Sequence, residues 1–97
     1  MNVKLIRMWS GEDVIADLVK DTNESVIITN PIVAVPSQQE GQIAFAPWSP
    51  LLSGRDVEVE VTRKYIVYIA ESQDDIVEQY NSMFTPVATP PRKKLIL

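Results

Sequence analysis

Residues 57–70 read VEVEVTRKYIVYIA, and this stretch decides the fold. Its first half alternates valine with glutamate or threonine, a period of two that predicts a strand with one buried and one solvated face. Residues 65–70 are apolar on both faces, so we expect that strand to be covered by a core inside and by a neighbouring subunit outside. Arg63 and Lys64 lie in the turn between the two strands.

The sequence before this stretch predicts further strands at residues 3–9, 14–20, 25–35 and 42–46. Ser10 and Gly11 form a turn between the first two. In the third, Asn30-Pro31 interrupts a β-branched run, and because proline cannot donate to a ladder we expect a bulge or sharp bend in a strand that continues. Long, bent strands of this kind close small barrels.

A helix is predicted after the last strand, from Ser72 to about Phe84. Ser72 and Asp75 have the spacing of a capping box. One stripe of apolar residues should face the barrel: Ile76, Val77, Tyr80, Met83 and Phe84. The sequence therefore divides into a barrel at 1–71, a helix at 72–84 and an extended tail at 85–97 whose tip carries the basic cluster at 92–94.

Composition excludes most catalytic chemistry. The 97 residues include no cysteine and no histidine, which removes thiolate nucleophiles, histidine bases and the usual zinc ligands. Carboxylates at Glu71, Asp74, Asp75 and Glu78 could bind a hard cation or act as acid and base, but the start of a helix explains them without chemistry. We expect no enzyme activity, no cofactor and no metal.

Location follows from what the sequence lacks. No apolar run approaches the length of a membrane span, and the first residues do not have the pattern of a signal peptide. We therefore expect a cytoplasmic protein without a membrane partner.

Three segments resemble the Sm-like superfamily of Sm, LSm and Hfq proteins. Residues 5–14, LIRMWSGEDV, resemble the start of the Sm1 motif, and Gly11 is the strongest single match. Asp21 and the apolar triplet at 26–28 resemble the rest of that motif. Residues 61–69, VTRKYIVYI, resemble the Sm2 motif. The resemblance implies an all-β fold: a small, strongly bent, five-stranded antiparallel Sm-like (SH3-like) barrel, here with a C-terminal helix.

The full pattern, including the Pro-Trp-Ser-Pro loop at 47–50 and the C-terminal helix, is most similar to uncharacterised Sm-like proteins of tailed phages that infect cyanobacteria. A phage origin would make the expected location the host cytoplasm.

The resemblance also implies a ring of identical subunits that binds single-stranded RNA around its pore. The residues at the corresponding positions are Asp21, Asn23, Ser25, Arg63 and Lys64. Two of them depart from the family pattern, because Ser25 stands at the position of a base-contacting asparagine and Lys64 replaces a glycine. The net charge of −4 also disfavours RNA, because phosphate neutralisation supplies most non-specific affinity.

The two tryptophans allow different interpretations. Trp48, held between prolines, could stack on a nucleobase or contact a partner, but more often such a residue covers the edge of a core or an interface. Trp9, beside the glycine turn, is expected to pack within the fold.

Three functions stay open at this point. The first is a homo-oligomeric ring that binds RNA through the loop at 21–25 and the basic turn. The second is a ring that binds only protein, with Trp48 and the helix as its contact surfaces. The third, a carboxylate enzyme, is the most distant.

Overall fold

The computed structural model describes residues 1–36, 43–49 and 55–84. Its elements in chain order are β1 (Val3–Met8), β2 (Asp13–Asp21), β3 (Ser25–Pro36), β4 (Ile43–Pro47), β5 (Val59–Thr62), a 3₁₀ turn (Arg63–Tyr65), β6 (Ile66–Ala70) and α1 (Asp74–Phe84). The strands form one antiparallel sheet that curves into a barrel-like fold with a C-terminal helix, so the predicted fold class is confirmed. The predicted tail at 85–97 lies outside the described residues.

The sheet owes its curvature to β3. One side of this strand pairs with β2, and the other side pairs with two different strands along its length. The order is β4-β3-β2-β1-β6, and β5 pairs with the first half of β3, from Ser25 to Ile28. The second half, from Ile32 onward, pairs with β4. Between the halves Asn30 has a φ of 50°, a left-handed conformation that asparagine tolerates better than most residues. The predicted bend is therefore present, and it lies at Asn30.

Asn30 is held in this conformation by a reciprocal pair of hydrogen bonds. Its side-chain Nδ2 donates to Oδ1 of Asp56 at 2.9 Å, and its Oδ1 accepts from the backbone N–H of Asp56 at 3.0 Å. Asp56 itself has a φ of 63°. The two left-handed residues thus stabilise one another and fix the point where the chain enters β5 beside the bend of β3.

Side chains alternate between two apolar clusters on opposite faces of the sheet. The first is the barrel interior: Ile6, Met8, Val14, Ala16, Val26, Ile28, Val61 and Ile66. The second lies between the sheet and α1: Val3, Ile15, Ile32 and Tyr80. Because neighbouring residues of a strand point to opposite faces, β1 and β2 each contribute to both clusters. The inner strands are therefore covered on both faces by this chain alone.

Tyr80 joins α1 to the sheet by both packing and hydrogen bonding. Only 1% of its surface is exposed, and its hydroxyl oxygen accepts from the backbone N–H of Asp17 at 3.0 Å. The same hydroxyl lies 3.1 Å and 2.9 Å from the carbonyl oxygens of Thr29 and Asn30, to which it can donate. Burial raises the pKa of the Tyr80 phenol above its usual range, so the group stays neutral beyond the pH of about 10 at which an exposed phenol ionises. One side chain thus links the helix to β2 and to the bend of β3.

Two details of α1 differ from the sequence-based expectations. The helix begins at Asp74 rather than Ser72: the Gln73 carbonyl accepts from the backbone N–H of Val77 at 3.0 Å, and the Asp75 carboxylate accepts from the adjacent N–H of Ile76 at 2.9 Å. Met83 is 44% exposed, because it lies at the border of the apolar stripe and not among the side chains that pack on the second cluster. With 11 residues, α1 is too short to cross a bilayer, and no helix of the described ranges is long and apolar enough to do so.

Candidate functional site

Two loops that are distant in sequence meet at one end of the barrel. Because Ser25 pairs with Thr62, the loop between β2 and β3 lies beside the 3₁₀ turn. The backbone N–H of Arg63 donates to the carbonyl oxygen of Glu24 at 2.9 Å, which fixes this contact. The structure therefore brings together all five residues at which the family resemblance implies RNA contacts. Four of them line a shallow polar depression between the loops, and Asp21 pairs with Arg63 beside it.

Arg63 is engaged by its own chain. Its Nε donates to the carbonyl oxygen of Thr22 at 2.7 Å, and its terminal nitrogen forms an ion pair with Asp21. Charge-assisted contacts of this kind order the guanidinium group and neutralise much of its charge. Arg63 therefore positions the loop between β2 and β3 and presents little free positive charge to a phosphate.

Apart from the ion pair between Arg63 and Asp21, the charges around the depression are mainly negative. Glu24 and Glu60 line it, and the Glu60 carboxylate accepts from the Ser25 hydroxyl at 2.8 Å. Lys64 is exposed and makes no ion pair with any residue in the described part of the chain. A phosphate bound here would meet one unpaired cation beside two carboxylates, which is a weak electrostatic attraction.

Trp48 closes the barrel at the level of the glycine turn. It is half-buried against the barrel interior, its backbone N–H donates to the carbonyl oxygen of Pro31 at 3.0 Å, and its indole Nε1 donates to Glu12 at 3.2 Å. The same Glu12 oxygen accepts from the Ser10 hydroxyl at 2.9 Å. Trp48 thus has the packing position expected of a residue at the edge of a core.

Trp9 has the opposite environment, because 69% of its surface is exposed. The expectation that it packs within the fold is wrong. Its backbone N–H donates to the carbonyl oxygen of Tyr65 at 2.8 Å, which places two exposed aromatic residues side by side. The strand parity of β1 explains this position: Met8 points into the barrel, so the next residue points out.

The two tryptophans border one cavity, which we call the aromatic cleft. Its volume is about 410 Å³, and its lining consists of Met8, Trp9, Ser10, Trp48, Tyr65 and the four β5 residues 59–62. Consecutive residues of a strand point alternately to opposite faces. All four can line one cavity only if the edge of the strand borders it, so the aromatic cleft lies along the open edge of β5. Sequence patterns missed this cleft because its parts come from three separate segments.

Three strands have an open edge within the described residues. There β4 and β5 each pair only with β3, and β6 pairs only with β1. Each of these strands therefore presents unpaired backbone N–H and C=O groups along its other side. On β6 two consecutive apolar residues, Val67 and Tyr68, are 46% and 44% exposed, and Trp9 and Tyr65 are exposed beside β5. The edges of β5 and β6 therefore have the properties of surfaces that are normally covered.

Two of the four acidic residues near the start of α1 make local contacts. Glu71 forms an ion pair with Lys4, and Asp75 accepts from a backbone N–H of the helix. Across the described ranges, no three acidic side chains are placed so that they could hold a metal ion.

Comparisons with known proteins give no assignment. No protein-family model matches the chain, and no curated protein matches it.

Proposed function

We propose that this chain is a subunit of a homo-oligomeric ring of the Sm-like type and that the ring acts as a protein assembly module without catalytic activity. The observation that carries the proposal is that the open edges of β5 and β6 both have exposed apolar residues on or beside them. They belong to different strands, so a contact between them is head to tail. Such contacts generate a closed ring when the rotation between subunits closes. The cytoplasm, or a host cytoplasm for a phage protein, is the expected location.

Exposed apolar residues support assembly at these edges. Val67 and Tyr68 lie on β6, and Trp9 and Tyr65 lie beside β5. Natural proteins protect open edges with charges, prolines or covering segments. Residues 66–70 of β6 carry no charge and no proline, so the outer side of this strand is suited to a partner rather than to water.

The test is the mass of the full chain by light scattering, compared with a Tyr68→Lys variant. We expect the unmodified chain to have several times the mass of the 10.9 kDa monomer and the variant to be monomeric, because lysine on an edge strand opposes strand pairing. A Val19→Lys variant is the matched control, since Val19 is 49% exposed on β2. An unmodified chain that stays monomeric at all concentrations would exclude the ring.

RNA binding at the convergent loops is the second candidate. It is favoured by the juxtaposition of the loop at 21–25 with Lys64, whose ammonium group is exposed. A ring would repeat this cation once per subunit around the pore. This candidate is the weaker of the two, because Arg63 is already bonded to Asp21 and the Thr22 carbonyl and because carboxylates lie nearby.

Fluorescence anisotropy with short poly-U and poly-A at two salt concentrations tests this candidate. Binding through Lys64 should weaken at high salt and fall in a Lys64→Ala variant. A Lys20→Ala variant serves as control, because Lys20 is an exposed lysine outside the depression. Equal binding by both variants, or no binding at low salt, would exclude RNA binding through Lys64.

A further inference from the structure

We infer that α1 is a detachable cover, which opens and closes over the second apolar cluster while the barrel beneath it stays folded. Three of the four buried residues in this cluster, Val3, Ile15 and Ile32, belong to strands. Opening of the helix therefore exposes an apolar surface on an intact sheet. The inference is independent of the proposed ring, because it concerns how one chain covers its own sheet.

The barrel interior does not depend on α1. All of its buried residues come from the strands, and it lies on the face of the sheet opposite the helix. The helix follows the last strand and is joined to it through residues 71–73. It can therefore leave the sheet without breaking any strand pairing. The interior cluster and the hydrogen bonds between strands stay in place when the helix opens.

The contact between α1 and the sheet is incomplete. Tyr80 is the only buried residue of the helix, whereas Ile76, Val77 and Phe84 are half-buried. Within the described part of the chain, two cavities are lined by residues of both the helix and the sheet. One of about 280 Å³ lies beside Ile76, and one of about 310 Å³ lies beside Phe84. Because atoms that line a gap lose packing contacts, the helix is held less firmly than a fully packed element.

Two side chains anchor α1 to the rest of the fold by polar contacts. In the middle of the helix, the Tyr80 hydroxyl bonds to backbone groups of β2 and β3. At the end of the helix, Nη2 of Arg55 donates to the carbonyl oxygen of Phe84 at 2.9 Å, and the guanidinium carbon lies 5.6 Å from the centre of the Phe84 ring. The net contribution of a hydrogen bond is small because water replaces it, so these anchors can release at moderate cost.

Once it leaves the sheet, α1 is too short to persist as a helix. It has 11 residues, and isolated helices shorter than about 12 to 15 residues are marginal in water. Opening therefore also breaks the hydrogen bonds within the helix. The backbone amides of α1 then exchange their hydrogens with solvent each time the cover opens, without global unfolding.

Hydrogen exchange of the full chain, followed residue by residue by NMR, tests the inference. We expect amides in the second half of α1 to exchange faster than amides in the middle of β1, β2 and β3. Their exchange should also depend less on urea, because opening exposes less surface than global unfolding does. A Tyr80→Phe variant should accelerate exchange in α1 on the order of tenfold, since it removes the hydroxyl that bonds to the sheet.

An Ile6→Val variant separates local opening from global unfolding. Ile6 is buried in the barrel interior, so the substitution destabilises the open and closed states of the cover equally. Strand amides that exchange through global unfolding should exchange several-fold faster, while the rates in α1 stay the same. If α1 and the strands accelerate together in Ile6→Val, the chain unfolds as one unit and the inference is wrong. Exchange in α1 that is unchanged in Tyr80→Phe would indicate fraying of the helix end alone and would also overturn it.

Discussion

The two sides of the barrel that carry aromatic residues differ in how they are completed. On one side, α1 covers the sheet, and Tyr80 is buried with its hydroxyl bonded to three backbone groups. On the other side, Trp9 and Tyr65 stand exposed beside the open edge of β5. Both surfaces are apolar, but only the first has its covering element within the described chain.

This difference separates residues that stabilise the fold from residues that, in the proposed ring, contact a partner. A buried aromatic residue contributes to the free energy of unfolding of the single chain, whereas an exposed one contributes mainly to binding. The helix side and the cleft side should therefore respond to substitution in different assays, and the predictions below use that contrast.

The largest effect is expected on the helix side. A Tyr80→Ala variant should lose about 3 to 5 kcal/mol of unfolding free energy, because it leaves a cavity and removes the polar anchor of α1. Urea denaturation measures the change. Glu78→Ala, on the exposed face of the same helix, should stay within about 0.5 kcal/mol of the unmodified chain. Equal effects of the two substitutions would contradict the assigned roles of the two helix faces.

A Tyr80→Phe variant isolates the hydroxyl. We expect it to cost about 1 to 3 kcal/mol near neutral pH, since the N–H of Asp17 loses its buried acceptor. The raised pKa of Tyr80 predicts a pH dependence: the unfolded phenol ionises near pH 10, whereas the native one does not. The stability that Tyr80 contributes is therefore complete below about pH 10 and is lost as the pH rises further. The difference in unfolding free energy between the unmodified chain and Tyr80→Phe should therefore become smaller above that pH. A difference that does not change with pH would contradict this account.

The bend of β3 should show a smaller effect. An Asn30→Ala variant should lose about 1 to 2 kcal/mol, because alanine is strained at a positive φ and cannot bond to Asp56. Asn30→Gly tolerates the backbone conformation and should lose less. Thermal unfolding of both variants distinguishes strain from lost hydrogen bonds, and alanine and glycine variants of equal stability would exclude backbone strain.

The cleft side should show the smallest effect on folding. A Trp9→Ala variant, measured at a concentration where association does not contribute, should unfold within about 0.5 kcal/mol of the unmodified chain. Its assembly at higher concentration should nevertheless be weakened. A large loss of stability in the isolated chain would mean that Trp9 holds the fold after all.

Much of the fold was predictable because its determinants are local. The alternation at 57–62, the glycine turn after β1 and the Asn30-Pro31 break each specify backbone geometry through neighbouring residues alone. The helix was also predicted, apart from its first two residues and the orientation of Met83.

The site was harder to predict because it depends on contacts between distant segments. The sequence identified Arg63 as a cation, but only the structure shows that Asp21 and the Thr22 carbonyl engage it. Strand alternation places Trp9 on the face opposite Met8, yet no local pattern indicates that this face lacks a cover. Hydrogen-bond pairing and tertiary packing decide both points.

Mixing two variants is the most direct test of the proposed head-to-tail contact between the edges of β5 and β6. Trp9→Glu places a charge beside the β5 edge, and Tyr68→Lys places one on β6, so each variant alone should be monomeric. When they are mixed, the intact β5 edge of one can pair with the intact β6 edge of the other, and growth then stops. Light scattering of the mixture should give twice the 10.9 kDa chain mass. A mixture that stays monomeric, or single variants that still assemble fully, would contradict the account.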